Sequence, residues 1–224
     1  MRWGVLQFPG SCDERDALQA CERTGAEARL VWHEERDLSD VDAVVIPGGF
    51  SYGDYLRAGA IARFSPAMEA VSEFAAAGGP VLGICNGFQV LCEANLLPGA
   101  LLLNESTRFT CRQLDLVEEP SDHLVTPEGH QLDTRPTLSI PAKHGEGRYW
   151  GPDGVLDALE AGGQVAYRYA PGQNPNGSAR DIAGVRNEAG NVVGLMPHPE
   201  HAVDVLTGSA DGLKLFESAA RVPA

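Results

Sequence analysis

The stretch Pro80-Val-Leu-Gly-Ile-Cys85-Asn-Gly-Phe-Gln89 determines how the rest of the chain can fold. Its first half is a short apolar run that predicts a buried strand, and residues 87–97 carry apolar residues at helical spacing. The junction Gly83-Ile-Cys85-Asn-Gly87 has the pattern of a nucleophile elbow, with cysteine in place of serine. We therefore expect a strand–turn–helix unit that lifts Cys85 out of the carboxyl edge of a sheet. A buried structural cysteine in a tight turn is the alternative at this point.

The position of Cys85 at the start of a predicted helix has two chemical consequences. Free N–H groups and the helix dipole at that end favour a thiolate, which is the nucleophilic form of cysteine. The N–H of Asn86 would also point to where an oxyanion forms during acyl transfer.

Strand-like and helix-like runs alternate through the first hundred residues, which predicts an α/β fold with a mostly parallel, doubly wound sheet. From residue 107 the strand-like runs are separated by turn signals, which predicts additional antiparallel strands. No linker divides the chain, so we expect a single domain over residues 1–224. The predicted strands are residues 3–8, 28–33, 42–46, 80–84, 107–117, 137–141, 164–169, 181–186 and 192–196, and the predicted helices are residues 13–24, 66–77, 87–97 and 209–221.

Composition excludes several classes of function. The net charge of −14 repels phosphate backbones and argues against nucleic acid as a partner. No apolar run is long enough to cross a bilayer, so we expect no membrane association and a cytoplasmic location. The five cysteines show no paired spacing, which predicts free thiols rather than disulfides.

A catalytic cysteine needs a base, and His198 is the best placed of the six histidines. It lies in Met196-Pro-His-Pro-Glu200, just past a predicted strand, where open α/β sheets place their sites. We expect Pro199 to keep this segment extended, so that His198 and Glu200 face the same cleft. A loop histidine beside a surface glutamate is the alternative.

The second oxyanion donor is predicted in Pro47-Gly48-Gly49-Phe50, which also follows a strand. Its candidate group is the N–H of Gly49, and a plain turn is the alternative. The aromatic loop that follows, residues 50–57, suits a pocket wall, a docking surface or ordinary packing. His144-Gly-Glu146 and His198-x-Glu200-His201 could be pooled into a metal site, but no HExxH or paired CxxC spacing supports one, so no metal site is predicted.

Taken together, the sequence resembles the class I (triad-type) glutamine amidotransferases, and among them the glutaminase subunits of purine biosynthesis. There are two departures from that pattern: Cys12 follows Ser11 directly where the family usually has an intervening Asn, and His201 stands where an Arg is common. The strings that carry the resemblance are Pro47-Gly-Gly-Phe-Ser-Tyr-Gly-Asp-Tyr-Leu-Arg57, Gly83-Ile-Cys-Asn-Gly-Phe-Gln89, His144-Gly-Glu-Gly147, Pro197-His-Pro-Glu200 and Gly208-Ser-Ala-Asp-Gly-Leu-Lys-Leu-Phe216.

The resemblance implies a flavodoxin-like, class I glutamine amidotransferase fold and a role for each site residue. These are Cys85 as nucleophile, His198 as general base and acid, Glu200 as its orienter, Gly49 and Asn86 as oxyanion donors, Gly48, Phe50 and Gln89 as substrate-binding residues, and His144 and Glu146 near the pocket or a partner interface.

The resemblance also implies L-glutamine as substrate and a separate ammonia-consuming partner. That partner is a large synthetase subunit, accompanied in bacterial-type complexes by a small accessory subunit. ATP and Mg are expected on the synthetase, and no cofactor is expected in this chain. We further expect the free subunit to be a poor glutaminase until docking completes the oxyanion hole. A different cysteine hydrolase on the same fold and a non-catalytic interaction protein are the alternatives.

Overall fold

The computed structural model describes residues 1–119 and 137–219. In chain order its strands and helices are β1 (Arg2–Gln7), α1 (Glu14–Arg23), β2 (Glu27–Trp32), β3 (Ala43–Ile46), α2 (Pro66–Ala76), β4 (Val81–Ile84), α3 (Asn86–Glu93), β5 (Ala100–Leu102), β6 (Thr110–Glu118), β7 (Thr137–His144), β8 (Arg148–Trp150), α4 (Asp153–Ala161), β9 (Val165–Tyr169), β10 (Ile182–Arg186), β11 (Val192–Leu195) and α5 (Leu213–Ala219).

Nine of these strands form one sheet in the order β2-β1-β3-β4-β11-β10-β9-β6-β7. The first five strands of that order pair in parallel and the remaining pairings are antiparallel. The parallel half with later antiparallel strands confirms the predicted fold class. Strand β4 lies at the centre and all four of its residues are buried, as its continuous apolar run requires.

Four adjacent parallel strands end at the same edge of the sheet. The carboxyl ends of β1, β3, β4 and β11 lead directly into residues 8–13, 47–50, 85 and 196–201. Strand β7 is the last in the sheet order, yet the carbonyl of Pro141 accepts a hydrogen bond of 2.8 Å from the N–H of His198. The antiparallel half therefore curls back over this edge and brings β7 to the same place.

Several elements differ from the sequence-based expectation. The ribbon formed by β5 and β8 and the helix α4 were not predicted. Helix α3 ends at Glu93, four residues before the predicted end, because Asn95 takes a left-handed conformation with φ of 57°. The predicted last helix extends to residue 221, and its residues 220–221 lie outside the described residues.

None of the helices within residues 1–119 and 137–219 combines the length and apolar character that crossing a bilayer requires.

Candidate active site

Cys85 occupies the sharp turn between β4 and α3, with φ of 51° and ψ of −103°. This conformation is strained for a residue with a side chain, and such strain is held in place by the surrounding structure. A side-chain carbon at Gly87 would overlap the carbonyl oxygen of Ile46, and one at Gly83 would overlap the Leu91 side chain. The two glycines therefore let the elbow pack directly onto β3 and α3.

The environment of the Cys85 sulfur suits a thiolate. The residue is the N-cap of α3, so its sulfur lies at the positive end of the helix. The turn is anchored by the N–H of Cys85, which donates to the Leu195 carbonyl at 2.8 Å. The sulfur itself lies 3.9 Å from the carbonyl oxygen of Lys143 on β7.

His198 and Glu200 form a buried pair beside the elbow. The Nδ1–H of His198 donates to Glu200 Oε1 at 2.5 Å, which leaves Nε2 as the acceptor. Burial alone would lower the pKa of His198, but the negative charges of Glu200 and Cys85 outweigh it and raise that pKa well above 6.5. Nε2 is buried and has no hydrogen-bond partner among the described residues, so it is free to exchange a proton with its electrostatic neighbour Cys85.

The backbone that brings His198 and Glu200 together is not the extended segment expected from the sequence. Residues 199–201 form a 3-10 turn, closed by a hydrogen bond of 3.2 Å from His201 N–H to the His198 carbonyl. The two side chains meet because of this turn rather than because of strand alternation, so the expected extended conformation is wrong although the expected proximity is found.

The Gly48–Gly49 peptide has a defined orientation at the same edge. Its carbonyl, that of Gly48, accepts hydrogen bonds from the N–H groups of Cys12 and Asp13 at 3.2 and 3.3 Å. Gly49 has φ of 144°, and a side-chain carbon there would lie 2.7 Å from Cys12 N, so glycine is required. Within the described residues neither Gly49 N–H nor Asn86 N–H has an acceptor, as an oxyanion hole requires.

The Asn86 side chain ties the elbow helix to the neighbouring loop. Its Oδ1 accepts from Ser51 N–H at 3.2 Å, and its Nδ2 donates to Gln89 Oε1 at 2.9 Å. Gln89 in turn donates to the Glu146 carbonyl at 2.5 Å and is buried. Its amide therefore links α3 to the turn after β7. Phe50, by contrast, has 52% of its surface exposed.

His144 is buried below the site rather than open to it. Its Nε2 accepts from Asn176 Nδ2 at 2.9 Å, and its Nδ1 is buried without a partner among the described residues. Burial lowers the pKa of His144 to about 4, and the charge of His198 adds to this, so the ring is neutral near pH 7. Glu146 lies close enough to Asp54 to contribute, after burial, to raising the pKa of Asp54 to about 6.

Two residues of the site were not found from the sequence, namely Asp13 and Lys143. The Asp13 carboxylate is buried between Lys143 Nζ, at 2.5 Å, and His198 Nδ1, at 3.5 Å. In the sequence Asp13 is marked only as the first residue of the predicted helix over residues 13–24. No local pattern marks Lys143, although it directly precedes the His144-Gly-Glu146 string.

The ligand atoms of Asp13, His198, Glu200 and His201 all lie within 4.8 Å of one another. A metal ion there would have to displace the proton between His198 and Glu200 and compete with the Lys143 ammonium for Asp13. The arrangement matches a hydrogen-bonded acid–base cluster better than a metal centre.

The comparisons with known proteins agree with this geometry. Residues 1–220 match the model of the CobB/CobQ-like glutamine amidotransferase domain. The phosphoribosylformylglycinamidine synthase subunit PurQ of Streptomyces avermitilis is 56% identical, over 97% of this chain and 95% of that protein. The protein of the same name from Synechococcus elongatus is 55% identical, over 96% of both chains.

Solved structures give the same result at the level of the fold. A chain of the PurLQS structure from Thermotoga maritima superposes with a TM-score of 0.85 and 42% identity, over 98% of this chain and 97% of that one. A putative GMP synthase component from Thermoplasma acidophilum shares only the fold, with a TM-score of 0.61 and 14% identity over 98% and 93% of the two chains. The chain therefore belongs to the glutamine amidotransferases, within the PurQ family of phosphoribosylformylglycinamidine synthase.

Proposed function

We propose that Cys85, His198 and Glu200 form the catalytic triad of a glutaminase subunit, which hydrolyses L-glutamine to glutamate and ammonia. The observation that carries this proposal is the strained Cys85 elbow beside the buried His198–Glu200 pair. An activated nucleophile, its base and the orienter of that base are the three parts that acyl transfer requires.

The first half of the reaction forms a thioester. The Cys85 thiolate attacks the carboxamide carbon of glutamine, and the N–H groups of Gly49 and Asn86 hold the resulting oxyanion. The His198 imidazolium gives its proton to the departing nitrogen as the C–N bond breaks. Ammonia leaves, and a γ-glutamyl thioester remains on Cys85.

The second half releases glutamate. Neutral His198 removes a proton from water, which attacks the thioester carbon through a second oxyanion in the same hole. The C–S bond then breaks, Cys85 leaves as a thiolate beside the His198 imidazolium, and the new carboxylic acid of glutamate loses its proton to solvent. Glu200 keeps the imidazole oriented throughout, and neither half needs a cofactor from this chain.

Gly48, Phe50 and Gln89 are proposed to shape the glutamine pocket in different ways. Gly48 leaves room beside the imidazole, since a side-chain carbon there would lie 2.7 Å from His198 Cε1. The half-exposed Phe50 ring suits the mouth of the pocket. Gln89 supports the wall through its bond to Glu146, while buried His144 supports the same turn from below.

The ammonia serves the synthesis of formylglycinamidine ribonucleotide from formylglycinamide ribonucleotide in purine biosynthesis. We propose that the ATP and Mg for this amidation are held by the large synthetase subunit, and that a small accessory subunit completes the complex. The relatives named as subunits of phosphoribosylformylglycinamidine synthase, and the PurLQS structure that contains a similar chain, support this assignment. We also propose that the chain forms a single glutaminase domain over residues 1–224.

Replacing the nucleophile tests the proposal. Cys85→Ala should lower glutamine hydrolysis by at least about a thousandfold, because no thioester can form. The matched control is Cys111→Ala, since Cys111 is an exposed cysteine outside the site and its loss should leave the rate unchanged. Glutamate release by the chain reconstituted with its synthetase is the measurement, and hydrolysis that survives in Cys85→Ala would sink the assignment.

A further inference from the structure

The carboxylate of Asp13 does not cap the helix that Asp13 begins. Asp13 is the N-cap residue of α1, but its side chain makes no cap hydrogen bond. Such a bond normally contributes about 0.5–2 kcal/mol to helix stability. The side chain is instead only 4% exposed and reaches the centre of the site.

Three cationic or titratable groups from other elements surround this carboxylate. Lys143 Nζ lies 2.5 Å from Asp13 Oδ1, and His201 Nε2 lies 3.3 Å from the same oxygen. His198 Nδ1 lies 3.5 Å from Asp13 Oδ2. Asp13 thus joins the start of α1 to β7 and to the turn after β11.

The backbone of Asp13 also fixes the Gly48–Gly49 peptide, which carries the proposed oxyanion donor. The N–H of Asp13, together with that of Cys12, binds the Gly48 carbonyl. Because a peptide group is planar and trans, this bond turns the N–H of Gly49 to the opposite side. A side-chain carbon at Gly48 would overlap the Asp13 carboxylate, so the contact depends on glycine.

We propose that Asp13 is a positioning residue of the glutaminase site, which holds His198 and the Gly48–Gly49 peptide in one geometry while Lys143 balances its charge. This inference rests on the proposed roles of Cys85 and His198. The carboxylate acts through the imidazole and the backbone and makes no contact with the scissile bond.

The charges around His198 predict the direction in which the pH dependence of the site should shift when one of them is removed. Burial raises the pKa of the Asp13 carboxyl, but His201, Lys143 and His198 outweigh it and hold that pKa far below its usual range. The Asp13 anion therefore favours the imidazolium, and the Lys143 cation favours the Cys85 thiolate.

The other titratable groups around the imidazole are Glu200, Cys85, His201 and His144. All four remain in the chain when Asp13 or Lys143 is changed, although His201 loses its contact with Asp13, so the two variants are compared with each other to isolate the Asp13–Lys143 pair. In a plot of the alkylation rate of Cys85 against pH, Asp13→Asn should shift both titration steps, that of Cys85 and that of His198, to lower pH by about one unit. Lys143→Met leaves the carboxylate unbalanced and should shift both titration steps to higher pH.

The experiment measures alkylation of Cys85 by iodoacetamide in the full-length chain as a function of pH. Peptide mass spectrometry separates Cys85 from Cys12 and Cys111, which are exposed. In the complex with the synthetase, Asp13→Asn should lower kcat for glutamine by up to about 100-fold, because a misplaced imidazole loses the geometry for proton transfer, with KM little changed. Asp16→Asn, in the first turn of α1, is the matched control and should leave both measurements unchanged.

Opposite displacements in the two variants support the inference, since a purely structural role would not move the profile in either direction. A profile of Asp13→Asn that coincides with the wild-type profile overturns it, whether or not kcat falls. If Asp13→Asn does not fold, Lys143→Met carries the test, and an unchanged profile in that variant overturns the inference. Wild-type hydrolysis and its loss in Cys85→Ala remain a separate test of the proposed function.

Discussion

The packing of the elbow against β3 requires a glycine at position 87. Gly87→Ala would place a carbon on the Ile46 carbonyl, and since both belong to backbone, neither can move cheaply. We expect a loss of stability of about 1–3 kcal/mol or more, together with loss of glutaminase activity as Cys85 shifts. The measurement is the urea unfolding midpoint and the rate of glutamate release.

Gly154→Ala in α4 is the matched control for that variant. Within the part of the chain that the structure describes, nothing lies within 4 Å of a side-chain carbon at Gly154, so alanine there should stabilise the helix by about 0.5–1 kcal/mol. Equal stability and activity of the two variants would contradict the role given to Gly87.

Residues of the site differ in how well the sequence predicts them. Cys85, His198 and Glu200 are predicted to share one cleft because each belongs to a short string at a strand end. Asp13 carries the signal of a helix cap, and its partner Lys143 lies 130 residues away, so only the curled sheet reveals the pair. The His-x-Glu spacing likewise does not specify the 3-10 turn of residues 199–201, which depends on the hydrogen bond from His201 N–H to the His198 carbonyl.

Among the elements, β8 is tied through the Tyr149 side chain to the segment that connects α3 with β5. The Tyr149 hydroxyl on β8 donates to the Pro98 carbonyl at 2.8 Å, while its ring stacks on Phe88 at 5.9 Å. Tyr149→Phe keeps the stacking and leaves the carbonyl without its donor, so it should cost about 1–3 kcal/mol in the free energy of unfolding. Thermal and urea unfolding provide the measurement.

Tyr167→Phe on β9 is the control for the β8 variant. Tyr167 is also buried, and its hydroxyl makes no hydrogen bond within the described residues, so its loss should be close to neutral. A cost for Tyr167→Phe as large as that for Tyr149→Phe would contradict the anchoring role.

The sequence predicts elements most accurately where an apolar run is bounded by turn signals. The parallel strands and α1 and α2 lie within a residue or two of their predicted bounds, because their apolar patterns are bounded by turn signals. Strands β5 and β8 have three residues each, too few to show a period, and the glycine at the second position of α4 weakens its helical pattern. Strands β5 and β8 are specified by packing against α3 and each other rather than by their own sequence.

At the scale of the whole molecule, the aromatic loop of residues 50–57 is the surface best suited to bind the synthetase. Tyr52, Asp54 and Leu56 all have positive φ, which is unfavourable for residues with side chains. This strained loop exposes 75% of Tyr55 and 90% of Leu56, and it is bonded to the elbow through Ser51 and Asn86. Since the Gly48 carbonyl is already held by Cys12 and Asp13, docking can act on the site most directly through this loop.

Leu56→Asp should therefore weaken assembly with the synthetase while leaving the fold intact. Burying Leu56 as an anchor of the interface contributes about 1.4 kcal/mol or more, so the Kd should rise about tenfold or more, and glutamine-dependent amidation should fall with it. Free glutaminase activity should stay at the low level that we expect for the undocked wild-type chain. Amidation supported by added ammonium salt should be unaffected, because it bypasses the glutaminase.

Leu206→Asp is the matched control for the docking loop, since Leu206 is 91% exposed on the loop before α5. Its Kd for the synthetase should equal that of the wild type, measured by calorimetry and by co-elution in size-exclusion chromatography. If Leu206→Asp rather than Leu56→Asp breaks the complex, the synthetase docks around Leu206, and the strain in residues 52–56 has no part in assembly. Equal glutamine hydrolysis by the free and docked wild-type chain would separately rule out activation by docking, because the site would then be complete before the partner arrives.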